Sequence, residues 1–168
     1  WPPRERGGRG GRMITLYDDV FSPYARKVRI ALYEKDIPFE RVRALHGDCN
    51  RTDFLHVNPR AEVPALVEGT FALYDSTVIC EYLEDSHPEP SLYPRDAKLR
   101  AKCRLIEDLA DTQLDAAMYA VSIVEFGRRE SHAAMHEAAR VDLLRLYDVL
   151  EGLLGDKPFF CGSYSLAD

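Results

Sequence analysis

Ser22 and Pro23 form the first pair of residues in this sequence that could do chemistry, because they stand at the start of a predicted helix. The stretch VFSPYARKVRIAL (20–32) places apolar residues at helical spacing directly after them. Proline suits the first turn of a helix, where its missing N–H has no intrahelical partner. A serine hydroxyl at this point either caps the helix or donates a hydrogen bond to an anion, which the helix dipole also favours. On this stretch alone, both roles stay open for Ser22.

Asp75 and Ser76 form a second pair of this kind. They begin the segment DSTVICEYLED, which has helical spacing. The apolar face expected to point inward consists of Val78, Ile79 and Leu83. The hydroxyl and backbone N–H of Ser76 could hold a carboxylate at the amino end of this helix. The alternative is that Asp and Ser are here only as the residues preferred at any helix start.

Disulfide and metal chemistry are not predicted. The cysteines form no CxxC pair and no metal-like pairing with the five histidines; they lie at positions 49, 80, 103 and 161. Cys80 and Cys103 fall at apolar helical spacings and are expected to be small core residues, whereas Cys49 is expected to be exposed. His132 and His136 have an i, i+4 spacing with no third ligand nearby, which is typical of a solvated helix start.

The elements that must position these residues follow the order βαβ and then ββα. Strands are predicted at 13–17, 39–43, 65–68 and 71–74, helices at 23–35 and 75–85, and a brief helical turn at 52–57. The second strand, reached by a helical crossover, is expected to lie parallel to the first. Gly69 and Thr70 separate the last two strands, which predicts an antiparallel hairpin. An α/β domain is therefore predicted over residues 13–86.

A proline-rich linker and long helices follow this domain. Residues 87–94 hold three of the ten prolines. Apolar or small residues then recur at the spacing of one long amphipathic helix from 96 to about 128, and a second helix is predicted from about 133 to 154, closed by Gly155. We therefore predict an all-α domain over residues 95–168. Ser165 and Asp168 come close to a capping box, so we expect the natural protein to continue with a further helix.

The body of the chain is acidic. The net charge is −6, and the first twelve residues hold four Arg against one Glu, so residues 13–168 sum to −9. Nucleic acid is not an expected ligand, since binding to a phosphate backbone needs clustered Lys and Arg. We expect residues 1–12 to be a disordered tail. No apolar run of about 18 residues and no signal-peptide core is present, so we expect a cytoplasmic protein that does not enter the membrane.

Four segments, in this order and spacing, make the chain resemble the cytosolic glutathione S-transferases. They are SPYARKVRIAL, NPRAEVPAL, LYDSTVICEYLED and SYSLAD, and the resemblance covers nearly all of residues 13–168. It implies a thioredoxin-like N-terminal domain that holds glutathione and an all-α C-terminal domain that covers a small electrophile and is truncated here. It also implies a homodimer that uses glutathione as co-substrate, without a metal.

The resemblance assigns roles to individual residues of this sequence. It implies a cis Val63-Pro64 bond, a form largely confined to X-Pro peptides, with the backbone N–H and C=O of Val63 pairing with the cysteinyl part of glutathione. On this segment alone, an ordinary turn proline before a strand is the alternative for Pro64. It assigns the γ-glutamyl carboxylate of glutathione to Ser76 and the ammonium group to Asp75. Asn50 is the candidate for the glycine carboxylate, the alternative being a solvated loop residue.

Ser22 is the residue that the resemblance assigns to the glutathione thiol. A thiol with a pKa of about 8.5 is mostly protonated at pH 7, so the thiolate needs a hydrogen-bond donor and the positive end of a helix. Relatives carry Ser, Tyr or Cys here, and only cysteine can form a mixed disulfide. Serine therefore disfavours thiol exchange and favours conjugation, isomerisation or dehalogenation. Tyr17 is the competing donor, and a purely capping role for Ser22 is the alternative.

Two functions from different classes follow from the sequence. The first is that of an enzyme, a glutathione transferase. The second is that of a noncatalytic binding protein, because the plan is also similar to stringent starvation protein A, which works by binding RNA polymerase. The similarity includes the VRI helix and the closing S-L-x-D pattern. An acidic body fits a protein partner as well as it fits an enzyme.

Overall fold

The computed structural model describes residues 13–44, 52–125 and 133–168. It divides into two compact units, of which the first ends at Pro90 and the second spans Ser91–Asp168. Three residues considered above, Cys49, Asn50 and His132, lie outside the described residues.

In its described residues, the first unit contains a four-stranded mixed sheet and three helices. In chain order the elements are β1 (Ile14–Asp18), α1 (Pro23–Glu34), β2 (Phe39–Arg43), α2 (Thr52–Leu55), β3 (Ala65–Glu68), β4 (Phe71–Tyr74) and α3 (Ser76–Ser86). The strand order is β2-β1-β3-β4, with β2 parallel to β1 and the other neighbours antiparallel. The predicted α/β class and the βαβ-ββα order are confirmed, and each element ends within two residues of its predicted bounds.

One face of the sheet forms the main core together with α1 and α3. Leu16 on β1 lies opposite Leu66 on β3, and both are fully buried. The helices contribute further fully buried side chains: Val28, Ala31, Leu32, Ile79 and Leu83. Burying a side chain of this size stabilises a fold by about 1.5–3 kcal/mol relative to leaving it exposed. This core fixes the two helices against the same face of the sheet.

The prediction that Val78 lies on the inward face of α3 is wrong. Its side chain is 45% exposed, whereas Ile79, Cys80 and Leu83 are buried. The buried face of α3 therefore begins at Ile79. A residue one position earlier is rotated by about 100° around the helix axis, which turns Val78 away from the core.

The opposite face of the sheet is covered near the end of β1. Tyr17 lies opposite Ala65 and packs against a small cluster that also contains Ala44 and Phe54. The rings of Tyr17 and Phe54 meet edge to face with 5.3 Å between their centroids. The short helix α2, which carries Phe54, is thus attached to the sheet beside the carboxyl end of β1.

Asp18 ends β1 with a buried carboxylate. It is 1% exposed and forms ion pairs with Arg29 Nη1 at 2.9 Å and Arg41 Nη2 at 2.6 Å. A buried carboxylate is costly unless it is paired and hydrogen-bonded, and two guanidinium groups meet that need here. This network joins β1, α1 and β2 and was not predicted.

The second unit is all helical, as predicted. It contains α4 (Ala97–Leu109), a π-helical turn (Ala110–Leu114), α5 (Asp115–Glu125) and α6 (Ala133–Leu154). The predicted bounds of α6 are confirmed, and Gly155 follows it with a φ of 59°. Within the described ranges, we find no helix that is both long and apolar enough to cross a lipid bilayer.

The prediction of one uninterrupted helix from 96 to about 128 is wrong, because a π-helical turn lies between α4 and α5. The N–H of Asp115 bonds to the carbonyl of Ala110, five residues earlier, instead of four. Thr112 donates its hydroxyl to the carbonyl of Asp108 at 2.7 Å. A threonine hydroxyl that binds the carbonyl four residues earlier competes with the regular helix pattern. Because neither Gly nor Pro marks this turn, the apolar spacing alone did not reveal it.

Two cysteines form part of the centre of the second unit. Cys103 and Cys161 are buried in one cluster with Tyr93, whose hydroxyl donates to Glu107 Oε2 at 2.8 Å. Burial raises the pKa of the Cys103 thiol to about 11. The predicted core positions of Cys80 and Cys103 are confirmed.

Ser165 and Asp168 make one of the two reciprocal contacts of a capping box. The Asp168 carboxylate accepts the backbone N–H of Ser165 at 3.0 Å and its hydroxyl at 3.1 Å. It also accepts the N–H of Phe160 at 2.9 Å. The return bond from the acidic residue to the capping residue is the defining half of the motif.

Candidate functional site

Strand pairing brings most of the predicted site residues to one end of the sheet. Tyr17 lies opposite Ala65, and Ala65 lies opposite Tyr74, so these residues form a row across β1, β3 and β4. Adjacent strands are about 4.8 Å apart, so the row is about 10 Å long. Three segments leave the sheet at this row, and they carry Ser22, Val63-Pro64 and Asp75-Ser76.

The amino ends of α1 and α3 lie side by side at this same end. Lys27, near the start of α1, donates to Thr77 Oγ1, near the start of α3, at 3.0 Å. Lys35, after the end of α1, donates to Glu84 Oε2 in the last turns of α3 at 2.7 Å. The two helices therefore run in the same direction. Their dipoles place two positive ends next to each other, which favours an anion at this site.

Ser22 is the N-cap residue of α1. Its Oγ accepts the backbone N–H of Ala25 at 3.2 Å, and its own N–H donates to the carbonyl of Asp19 at 3.1 Å. Within residues 13–44, 52–125 and 133–168 its hydroxyl donates no hydrogen bond. The half-buried side chain thus serves as a cap through its oxygen, and its proton is not used within these residues. Capping and anion binding are compatible at this residue.

Tyr17 occupies a different position from Ser22. It belongs to β1 and packs with Phe54 and Ala65 on the sheet face that α2 covers. It therefore precedes the amino end of α1 instead of standing at it. Only Ser22 of these two residues takes part in the first turn of a helix.

The Val63-Pro64 bond is cis, as the resemblance implied. Over the described part of the chain, neither the N–H nor the C=O of Val63 is hydrogen-bonded. The preceding loop is held by Asn58, which is 1% exposed, donates to the Glu62 carbonyl at 2.7 Å and accepts the Arg60 N–H at 2.9 Å. These contacts leave the two backbone groups of Val63 available to pair with an extended ligand.

Asp75 is the N-cap residue of α3 and adopts a conformation that is unusual for a residue with a side chain. Its φ is 77° and its ψ is 124°, and such a conformation costs on the order of 1–3 kcal/mol. One oxygen, Oδ1, accepts the N–H groups of Thr77 at 3.1 Å and Val78 at 3.3 Å. The other, Oδ2, lies 3.6 Å from Arg60 Nη1. Ser76 follows and is buried. The second oxygen of Asp75 is therefore available to a cation.

Arg60 and Asn58 lie beside the candidate site, and the sequence reasoning missed both. Arg60 lies between two carboxylates, with Nη2 at 3.0 Å from Glu62 Oε2 and Nη1 at 3.6 Å from Asp75 Oδ2. Asn58 directly precedes Pro59, and this position signals only the end of the predicted helical turn at 52–57. Among the described side chains we find no group of three or more His, Cys, Asp or Glu that could hold a metal ion.

Known proteins are similar to this chain in sequence and in structure. The protein-family model for the glutathione S-transferase N-terminal domain matches residues 16–91. The chain is 36% identical over 157 residues to the GST-like protein YibF of Escherichia coli, covering 92% of this chain and 76% of YibF. It superposes on a glutathione S-transferase from Rhodospirillum rubrum with a TM-score of 0.81 and 30% identity, covering 92% of this chain and 73% of that one.

A second kind of relative is also similar. A stringent starvation protein A homolog of Haemophilus ducreyi is 38% identical over 93 residues, which is 55% of this chain and 43% of that protein. Three of the matched curated relatives are covered over only 40–43% of their own length. Membership of the family, in contrast, follows from the matches that extend over most of both chains. The protein belongs to the glutathione S-transferase family.

Proposed function

We propose that this protein is an enzyme, a glutathione transferase that adds the glutathione thiolate to a small electrophile, or isomerises or dehalogenates one. The observation that carries this proposal is the hydrogen bonding of the Ser22 hydroxyl. Its oxygen caps α1 while its proton is free within the described residues, at the amino end of α1 and beside that of α3. A hydrogen-bond donor and two helix dipoles together favour a bound thiolate.

Ser22 acts on the nucleophile of its ligand and does not become a nucleophile itself. It donates its hydroxyl proton in a hydrogen bond to the glutathione sulfur and thereby lowers the pKa of that thiol. The thiolate then attacks the electrophile, and the sulfur–carbon bond forms as the leaving group departs. We assign this role to Ser22 in preference to Tyr17, since Tyr17 lies within β1 and contacts Phe54.

Backbone and side-chain groups at the other two segments hold the tripeptide. The unpaired N–H and C=O of Val63, next to the cis Pro64, take the cysteinyl part like an added strand. Ser76 at the start of α3 takes the γ-glutamyl carboxylate, and Asp75 Oδ2 takes the ammonium group. Asn50, outside the described residues, keeps its proposed role at the glycine carboxylate. In this proposal the domain at 13–86 holds glutathione, and the helical region at 95–168 binds the electrophile.

The expected oligomeric state, location and co-substrate are based on the family. We propose that the protein acts as a homodimer in the cytoplasm, with glutathione as co-substrate and without a metal. The acidic charge of residues 13–168 supports small-molecule and protein ligands over nucleic acid.

A noncatalytic role is the second candidate function. In that role the chain binds a protein partner such as RNA polymerase. The similarity to the stringent starvation protein A homolog favours it, because that match is 38% identical over 93 residues.

Retention on immobilised glutathione separates the two functions. We expect the protein to bind the resin, to elute with free glutathione and to pass through a resin blocked with mercaptoethanol. We also expect turnover of 1-chloro-2,4-dinitrobenzene or of another small electrophile in a panel. Absence of retention would overturn the transferase proposal. Retention without turnover of any electrophile would favour the noncatalytic role.

A further inference from the structure

Arg60 joins the two backbone segments that flank the proposed glutathione site. Its backbone N–H is held by the buried Asn58, and its guanidinium reaches the carboxylate of Asp75 at 3.6 Å. The loop before Val63 and the start of α3 are far apart in sequence but are linked by this one side chain. The guanidinium therefore helps to orient the Asp75 carboxylate.

Glu62 neutralises this guanidinium. Its Oε2 lies 3.0 Å from Arg60 Nη2, a closer contact than the one that Arg60 makes with Asp75. An uncompensated cation near Asp75 would repel an incoming ammonium group. The Arg60–Glu62 pair carries no net charge, so it orients the Asp75 carboxylate without that repulsion.

The Asp75 carboxylate can contact the Arg60 guanidinium and the ligand's ammonium group at the same time. Its Oδ1 is used by the helix cap and its Oδ2 is only loosely contacted by Arg60. An ionised carboxylate offers about four acceptor positions, so Oδ2 can accept a hydrogen bond from an ammonium group while the guanidinium stays in place.

We propose that Arg60 is a positioning residue that fixes Asp75 for recognition of the ligand's ammonium group, and that Glu62 keeps it from competing with that group. This inference rests on the proposed function and adds to it a residue that determines specificity for a free amino group. Arg60 contacts no reacting atom. Its effect is on glutathione affinity and not on the thiolate.

The expected effects are small, because all three side chains are partly exposed. Arg60 is 55% exposed, Glu62 61% and Asp75 42%. Exposed ion pairs typically contribute about 0.2–1 kcal/mol, which corresponds to about a 1.4-fold to fivefold change in Kd. We expect Arg60→Ala to weaken glutathione binding by about this factor with kcat at saturating glutathione unchanged, and Arg60→Lys to restore part of the loss. Glu62→Gln also weakens binding, through repulsion of the ammonium group.

The test is calorimetric titration of the chain with two ligands, glutathione and glutaryl-cysteinylglycine, which lacks the ammonium group. Arg60→Ala and Glu62→Gln should weaken glutathione binding and leave the affinity for the second ligand unchanged. In an Asp75→Asn background, Arg60→Ala should have no further effect. High salt should reduce the difference between wild type and Arg60→Ala.

The results that overturn the inference differ from those that overturn the proposed function. If wild type binds neither ligand, the transferase proposal and this inference both fail. If wild type binds glutathione but Arg60→Ala binds it equally well or more tightly, only the inference fails. An equal loss for both ligands would also overturn it, since Arg60 would then act on the fold and not through Asp75.

Discussion

Lys27 Nζ lies 3.0 Å from Thr77 Oγ1, and this contact joins the first turns of α1 and α3. The first turn of α1 carries the cap of Ser22, and Thr77 directly follows Ser76. Two residues separated by about fifty positions in the chain thus set the spacing of two helix ends. The proposed site for an anionic ligand at those ends depends on that spacing.

Removal of this contact should weaken both the fold and the site. We expect Thr77→Val to lower the free energy of unfolding by about 0.5–1.5 kcal/mol, the usual contribution of one hydrogen bond. It should also weaken glutathione binding, because α3 is no longer fixed to α1 at its start. Urea denaturation and calorimetric titration measure the two effects. Thr112→Val is the matched control, since Thr112 lies in the second unit and should leave glutathione binding unchanged.

Loss of the buried Lys35 ammonium should be more damaging. Its Nζ bonds to Glu84 Oε2 at 2.7 Å and to the carbonyls of His87 and Pro90 at 2.8 and 2.9 Å. Lys35→Met takes the ammonium away from the buried Glu84 carboxylate, which should lower the free energy of unfolding by about 3–5 kcal/mol. Urea denaturation measures this loss.

The double variant Lys35→Met/Glu84→Leu provides the control for this prediction. It removes both charges, so it should recover much of the stability lost in the single variant. A single variant as stable as wild type would show that the Lys35–Glu84 pair does not hold the ends of these helices together.

Periodicity predicted the elements well because each one carries its own signal. The strand at 65–68 and the hairpin to 71–74 follow from alternation and from Gly69, and α6 ends at the glycine that follows it. The buried networks around Asp18 and Lys35 have no local signal, since their partners lie 11 to 55 positions away in the chain. The π-helical turn at Ala110–Leu114 was missed for a different reason, because it shifts hydrogen bonds without a Gly or Pro.

The candidate site shows the same division between residues with a local sequence signal and residues without one. Ser22, Pro64, Asp75 and Ser76 stand beside predicted element ends, so their placement follows from the elements. Arg60 could not be found in this way, because its role depends on a contact between a loop and α3. The positive φ of Asp75 is likewise set by tertiary packing and not by residue type.

Two substitutions of Asp75 should separate its capping role from its charge. Asp75→Asn keeps an oxygen that can accept the N–H groups of Thr77 and Val78, so it should retain stability and weaken glutathione binding. Asp75→Ala loses the cap as well and should also lower the free energy of unfolding by about 1 kcal/mol. Thermal denaturation and titration give the two readouts. Equal glutathione affinity in wild type and Asp75→Asn would contradict the role of the charge.

The Cys103 thiol should make stability fall at high pH. Its pKa is raised from 9.0 to about 11 in the folded protein, chiefly by burial. Above about pH 9 the unfolded chain loses this proton while the folded protein keeps it, so the free energy of unfolding declines as pH rises from 9 towards about 11. Urea denaturation across this range should show a steeper decline for wild type than for Cys103→Ala. Parallel declines would contradict the burial effect.

The most direct test of the thiolate site is ultraviolet absorbance of bound glutathione as a function of pH, for wild type, Ser22→Ala and Ser22→Asp. Asp is as good an N-cap as Ser but at neutral pH has no proton to donate, so Ser22→Asp separates capping from thiolate stabilisation. Ser163→Ala, at an exposed serine of the second unit, is the control. We expect wild type and Ser163→Ala to hold the thiol pKa of glutathione below its free value, and both Ser22 variants to bring it back up. A thiol pKa that is the same in wild type and in both Ser22 variants would contradict the assignment of Ser22 as the thiolate donor.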